Sequence, residues 1–209
     1  MRTGVSPDRA SALVELLCRF DALKRVERSD YVGGTNRREN PAEHTWHALL
    51  VLMTYRYVSG DTTIDYAKAY ELLIVHDLPE IIAGDIPIFD EPTIAIAHAR
   101  ERAGLTELVS NTDPDFATII SQHWEEFEAL ASAEAKLAKV SDRFQPMLQN
   151  LSSSGRGWQE RSVTLEQIER ITGIVREHSD FFATLLMAML QAAERGKFLP
   201  RPSEKSTPL

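Results

Sequence analysis

A chain of 209 residues is long enough for one sizeable core, and 43% hydrophobic with 26% charged residues excludes a disordered or fibrous protein. The formal charge of −8 argues against a nucleic-acid polymer as partner, because that affinity comes mostly from Lys and Arg neutralising phosphates. A single cysteine, Cys18, excludes an internal disulfide, and no apolar run reaches the roughly 20 residues of a membrane span, so no membrane partner and a cytoplasmic address are expected.

Ser6-Pro7 supplies a helix N-cap followed by proline at the first helical position, and Leu13, Leu16, Leu17, Phe20 and Leu23 recur at helical spacing. They predict a first helix over 7–23, with Cys18 packed inside its apolar pattern. Residues 24–39 are polar, contain Gly33-Gly34 and show no sustained period, which is the signature of a long, functional loop. Its arginines, Arg25, Arg28, Arg37 and Arg38, are either surface charge or phosphate contacts. Asn40-Pro41-Ala42-Glu43 resembles a capping box and opens a second helix that continues to Gly60. On it, Trp46 and the leucines read as core. His44 and His47 share one face of the first turns, so together they could hold a metal, although either alone is more often a packed residue.

Asp61-Thr62-Thr63 is read as the cap of a third helix whose apolar positions become continuous at Leu72-Leu73-Ile74-Val75. That end is expected to be buried, where the next two residues, His76 and Asp77, would be costly unless paired or metal-bound. A neutral imidazole nitrogen and a carboxylate oxygen suit a divalent transition ion. Successive helical residues point about 100° apart, so the pair can grip one ion from two directions. Pro79 then starts a new turn, Gly84 ends it, and Glu80 and Asp85 add two carboxylates close behind.

Residues 86–92 predict a loop, followed by a helix over 93–103 with His98 on its surface. Asp113-Pro114 caps a helix carrying Phe116, Ile120, Trp124 and Phe127, with His123 structural. Ser132 precedes a long amphipathic helix, Ala133 to Leu151, that contains Asp142. Residues 152–157 read as a flexible connection, and Ser162-Val163-Thr164 opens a helix to His178. A final helix runs over 179–196, its Phe181 to Leu190 stretch being either core or a dimer face, and 197–209 form a flexible tail. No strand pattern, repeat or glycine-rich phosphate loop is present. The expected architecture is all-α, a single domain over 1–209 with an ordered core of about 7–196.

His44, then His76-Asp77, then Asp142 resemble the H…HD…D signature of the HD-domain metal-dependent phosphohydrolases. The likeness extends through residues 39–47, 75–86, 124–128 and 138–149, which resemble segments of the 5′-deoxynucleotidase branch. The resemblance implies an HD-domain helical bundle in which His44, His76, Asp77 and Asp142 hold one divalent ion, with positions left for water and a phosphate oxygen. Hard oxygen donors with imidazole suit Mn²⁺, Co²⁺, Fe²⁺, Ni²⁺, Mg²⁺ or an open Zn²⁺ site better than a closed structural zinc. By the same resemblance Glu80 orients the water or shuttles a proton, and Asp85 protonates the leaving 5′ oxygen. The implied substrate is a small phosphate ester, a nucleoside 5′-monophosphate, and the implied assembly a homodimer.

One departure concerns the sugar. Where the branch has a Trp before its first ligand helix, excluding a ribose 2′-hydroxyl, this chain reads Arg28-Ser29-Asp30-Tyr31. Arg28 is then expected at the phosphate and Tyr31 in place of the ring, with Lys139 and Arg143 as further phosphate contacts. The alternatives are an HD hydrolase of another small phosphoester, and a non-catalytic, metal-stabilised module that binds a nucleotide or a protein.

Overall fold

Side-chain caps start most of the longer helices, largely where the sequence places them. The structure, a computed structural model, describes residues 4–86, 91–110 and 112–199. Helix α1, Pro7–Phe20, begins with Ser6 accepting from the Arg9 amide and continues as a 3-10 turn over Asp21–Arg25. Helix α2, Pro41–Ser59, has a complete capping box: Asn40 accepts from the Glu43 amide and the Glu43 carboxylate accepts from the Asn40 amide. It stops at Gly60, whose φ of 61° suits only a residue without Cβ strain.

Helix α3, Tyr66–Val75, is capped by Asp65 and not by the expected Asp61. Asp61 accepts instead from the Thr63 amide and hydroxyl, a local turn that competes with helix initiation. After His76 to Leu78 the chain turns at Pro79 into the single-turn helix α4, Glu80–Ala83, closed by Gly84 at φ 74°. Helix α5 spans Glu91–Leu108 and is longer than the expected 93–103. Helices α6, Pro114–Ala129, and α7, Ala133–Ser152, are capped by Asp113 and Ser132 as read.

The helix expected over 162–178 is two helices, α9 (Leu165–Ile171, capped by Thr164) and α10 (Gly173–His178), after a short α8 at Arg156–Glu160. The break falls where Thr172 turns its hydroxyl back onto the Ile168 carbonyl and Gly173 follows. Helix α11, Asp180–Arg195, ends the bundle. Residues 87–90 of the expected loop and the tail from 200 onward lie outside the described residues. Among the described residues there is no strand, only an isolated bridge between Tyr31 and Arg38, and no helix is long and apolar enough to cross a membrane.

Helix α7 is the central post, packed by α2, α3, α6, α10 and α11. One apolar cluster surrounds it, including Leu52, Leu73, Phe127, Val140, Met147, Trp158 and Phe182. A second lies under α1, α5 and α6, built from Leu16, Leu78, Leu105, Leu108, Ile120 and Trp124. Phe182, Leu186 and Met189 of α11 are buried in the core of the protomer, while Met187 on the same stretch is exposed. Several apolar residues depart from expectation, Leu50 of α2 among them at 36% exposure. Cys18 is exposed, because it lies about 200° around α1 from the buried Leu16, and Trp46 faces solvent on the side of α2 opposite the core.

Candidate metal and substrate site

The His76-Asp77 pair sits where α3 ends, between Leu73 in the first cluster and Leu78 in the second. The capped first turn of α2 delivers His44, and the middle of α7 delivers Asp142. All four side chains are buried. Ligand atoms of His44, His76 and Asp77 lie within 4.8 Å of one another, a group that could hold a metal ion. Asp142 Oδ1 adjoins both rings, 3.1 Å from His44 Nε2 and 3.6 Å from His76 Nε2.

Each imidazole is anchored from behind. His76 Nδ1 donates to the Leu73 carbonyl at 2.6 Å, and His44 Nδ1 donates to Gln145 Oε1 at 2.6 Å. Both acceptors are oxygens, so each Nδ1 carries a proton and each Nε2 is the nitrogen turned toward the centre, free to ligate an ion once it gives up any proton it holds. His76 Nε2 lies 3.0 Å from Asp77 Oδ1 but is buried without a partner in hydrogen-bond geometry. An orphaned imidazole nitrogen facing carboxylates is an environment that a divalent cation satisfies.

Electrostatics agree. Burial opposes charge on His76, yet Asp77 and Asp142 outweigh it and raise its pKa to about 10. Burial also opposes ionisation of Asp77, but His76 and His44 hold it down at about 2, and Asp142 is held well below the usual carboxylate range against burial by both histidines. The metal-free polypeptide thus retains a proton where an ion would bring positive charge.

Above this centre opens a cavity of about 530 Å³, lined by Glu80, Asp85, Arg28, Lys139 and Arg143 among others. Burial pushes Glu80 well above the normal glutamate range, with Asp77 adding to the effect, and burial likewise raises Asp85. Seven lining side chains are carboxylates against four Lys or Arg, so a phosphate dianion entering the cavity needs additional positive charge.

The expected contacts divide into those that face this cavity and one that does not. Arg28 is buried among acids: its guanidinium lies 3.5 Å from Asp77, 3.6 Å from Asp85, 3.6 Å from Glu39 and 3.9 Å from Glu80. Lys139 is 3.2 Å from Glu128 and 3.7 Å from Asp142, and Arg143 is 3.9 Å from Asp142. Tyr31 is not among the cavity-lining residues. Its hydroxyl donates to Glu160 at 2.9 Å, and its ring is held between the guanidinium groups of Arg38 and Arg156. Asp30 does line the cavity and accepts from Asn150 at 2.7 Å. Burial raises its pKa against the opposing pull of Arg28 and the Asn150 hydrogen bond. His98, expected on the surface, also lines the cavity, its ring 5.1 Å from Trp124.

Sequence reading missed Glu39 and Gln145. Gln145 Nε2 donates to Glu39 Oε1 at 2.7 Å and approaches His47 Nδ1 at 3.2 Å, which turns its Oε1 toward His44. The available signal was position: Gln145 lies one turn beyond Asp142 on α7, and Glu39 immediately precedes the α2 cap. His47 therefore touches the support of His44 and is not part of the ligand cluster.

A profile described as the HD domain matches residues 20–181, which brackets this whole arrangement. The chain belongs to the HD-domain family. Its relatives include the 5′-deoxynucleotidase HDDC2 of Danio rerio, 30% identical over 61% of this chain, and of Homo sapiens, 29% identical over 67%. The matches span 62% and 67% of those relatives' own lengths. A solved structure described as a predicted metal-dependent phosphohydrolase from Magnetospirillum magnetotacticum MS-1 superposes with a TM-score of 0.84 at 29% identity, covering 94% of this chain and all of the other.

Proposed function

We propose that this HD-domain chain is a metal-dependent phosphohydrolase that releases phosphate from nucleoside 5′-monophosphates, deoxy forms included. The observation carrying this reading is the pair of rear-anchored imidazoles whose Nε2 atoms converge with Asp77 and Asp142 beneath an acid-lined cavity. His44, His76, Asp77 and Asp142 would hold one divalent ion, supplying Lewis acidity toward the phosphoryl oxygens and an acidified water. The names of the human and zebrafish relatives support the nucleotide assignment.

The chain's own residues divide the remaining work. Glu80 is buried and its carboxyl has a raised proton affinity, which suits removing a proton from water and passing it on near neutral pH. Asp85, also raised, would give a proton to the departing 5′ oxygen. Lys139 and Arg143 line the same cavity and offset charge on the phosphate, while Arg28 keeps Asp77, Glu80 and Asp85 close together despite their repulsion. This reading takes the working form to be a cytoplasmic homodimer.

The test is phosphate release by metal-stripped protein resupplied with Co²⁺, Mn²⁺ or Mg²⁺, across paired deoxy- and ribonucleoside monophosphates, with Glu80→Gln as control. The expected result is metal-dependent release that falls about 10² to 10⁴-fold in the variant while metal affinity stays within several-fold. Release from both sugars would keep the chemistry and remove deoxy selectivity. Bound metal without release from any nucleotide would overturn the proposal in favour of another phosphoester or a binding role.

A further inference from the structure

Asp30 lines the cavity but has no part in the chemistry assigned above. The fold fixes it from several sides. Its carbonyl accepts from the Glu39 amide at 2.9 Å, and its Oδ1 accepts from the Asn150 carboxamide at 2.7 Å. Asn150 is itself held, donating to the Pro146 carbonyl at 3.0 Å and accepting from the Trp158 amide at 3.1 Å. Gly157 of α8 lies against the pair: a Cβ there would stand 2.7 Å from Asp30 Oδ1, so a larger residue would push the carboxyl aside. Among the described residues no hydrogen bond uses Asp30 Oδ2, which leaves that oxygen for a molecule in the cavity.

We propose that Asp30 reads the sugar: its carboxyl takes the hydrogen bond of a ribose 2′-hydroxyl, so that ribonucleoside 5′-monophosphates are hydrolysed in preference to their 2′-deoxy counterparts. This rests on the nucleotide reading above and names the sugar that reading leaves open.

Position selects the sugar over the phosphate. Lys139 and Arg143 mark the phosphate end, beside Asp142 at 3.7 and 3.9 Å. On the other side Arg28 ties its loop to Asp85 at 3.6 Å, the acid assigned to the departing 5′ oxygen. Asp30 follows two residues along the same loop, next to the bond that joins phosphate to sugar. Charge selects the hydroxyl. A carboxylate repels a phosphate dianion but accepts readily from a neutral O–H, and dinucleotide-binding folds set an acid on the ribose 2′-hydroxyl in the same way. Tyr31, expected to exclude that hydroxyl with its ring, points away from the cavity into the clasp of Arg38, Arg156 and Glu160. The bridge between Tyr31 and Arg38 makes this stretch extended, and neighbouring side chains there face opposite sides, Tyr31 out and Asp30 in.

The experiment measures kcat/KM for phosphate release by the full chain loaded with Co²⁺, from AMP against dAMP and CMP against dCMP. Wild type is expected to favour the ribose form by about tenfold or more, since a site built to bond a hydroxyl rejects the analogue that lacks it. Asp30→Ala is expected to bring the ratio within about twofold of unity, with Asn150 keeping its bond to Pro146. Asp30→Asn, which replaces the charged partner with a neutral one of the same shape, should fall between. Each ratio is taken within one protein, so a loss of folded material cancels. A wild type that treats both sugars alike or favours deoxy, or a ratio that survives both substitutions, would overturn the role of Asp30 while leaving the phosphohydrolase standing. Absence of release from all four nucleotides would overturn the nucleotide reading and this assignment with it.

Discussion

Replacing Gln145 with leucine removes a group that touches no cavity atom directly and should still weaken metal binding. His44 is fully buried and Gln145 equally so, and the 2.6 Å hydrogen bond between them fixes which ring nitrogen is protonated. Leucine keeps most of the volume but leaves His44 Nδ1–H without an acceptor and takes a donor from Glu39. One unsatisfied buried donor costs about 1 to 3 kcal/mol. Second-line partners of metal-bound histidine are worth about 10 to 100-fold in affinity, or about 1.4 to 2.7 kcal/mol, which agrees. Calorimetric titration of Co²⁺ into stripped protein should therefore show a dissociation constant about 30-fold higher in Gln145→Leu. The metal-free melting temperature should fall by only several degrees. Nitrogen-resolved NMR of the imidazoles should show His44 losing its single Nδ1–H tautomer. A folded variant with affinity within twofold of wild type and an unchanged tautomer would refute the argument that Gln145 aims His44.

Arg28→Met leaves Glu39, Asp77, Glu80 and Asp85 crowded without their shared cation, and should cost at least about 3 kcal/mol of stability. Without Arg28 those acids titrate higher in the folded state, so the loss should shrink as pH falls; a melting series from pH 8 to 5 checks the sign. In metal-stripped protein His76 rises from 6.5 to about 10, so its contribution is full below pH 6.5 and disappears as pH climbs through 10. Asp77, lowered from 3.8 to about 2, contributes above pH 3.8 and is lost below. Denaturant unfolding across that range should place maximum stability between the two windows. Metal binding near pH 7.5 should release about one proton, measured by calorimetry in buffers of different ionisation enthalpy. Tyr31→Phe loses the bond to Glu160 at about 1 kcal/mol and should leave the deoxy-to-ribo ratio of phosphate release unchanged.

What the sequence made legible was local. Ser6-Pro7, Asn40 with Glu43, Asp113-Pro114, Ser132 and Ser179 start helices through contacts reaching only three residues, so spacing alone reveals them. The order of His44, His76-Asp77 and Asp142 pointed to a metal-binding group only through its resemblance to the HD-domain signature; local spacing by itself offered the adjacent His76 and Asp77 and the His44/His47 pair. Sidedness was harder. Trp46 and Cys18 lie in apolar patterns that say a face is hydrophobic but not which tertiary neighbour covers it. Tyr31 could not be placed because Arg156 and Glu160, which hold it, are more than 120 residues away in sequence. Gln145 gives only a positional signal, one turn beyond Asp142, since a polar residue on an amphipathic helix reads as surface until its partners Glu39 and His44 are known.

The turn bearing His76 and Asp77 is held at one end by Leu73 and at the other by Leu78, each rooted in a different apolar cluster. The aim of the acids and the imidazole is therefore a by-product of how two cores are filled. Enlarging Leu73 or trimming Leu78 would touch no cavity-lining atom, yet it would tilt the turn, and misplacement by about 1 Å can cost on the order of a hundredfold in rate. Stabilising this scaffold by repacking and preserving its chemistry are not independent goals, and variants selected for heat tolerance alone should lose turnover first at those two leucines.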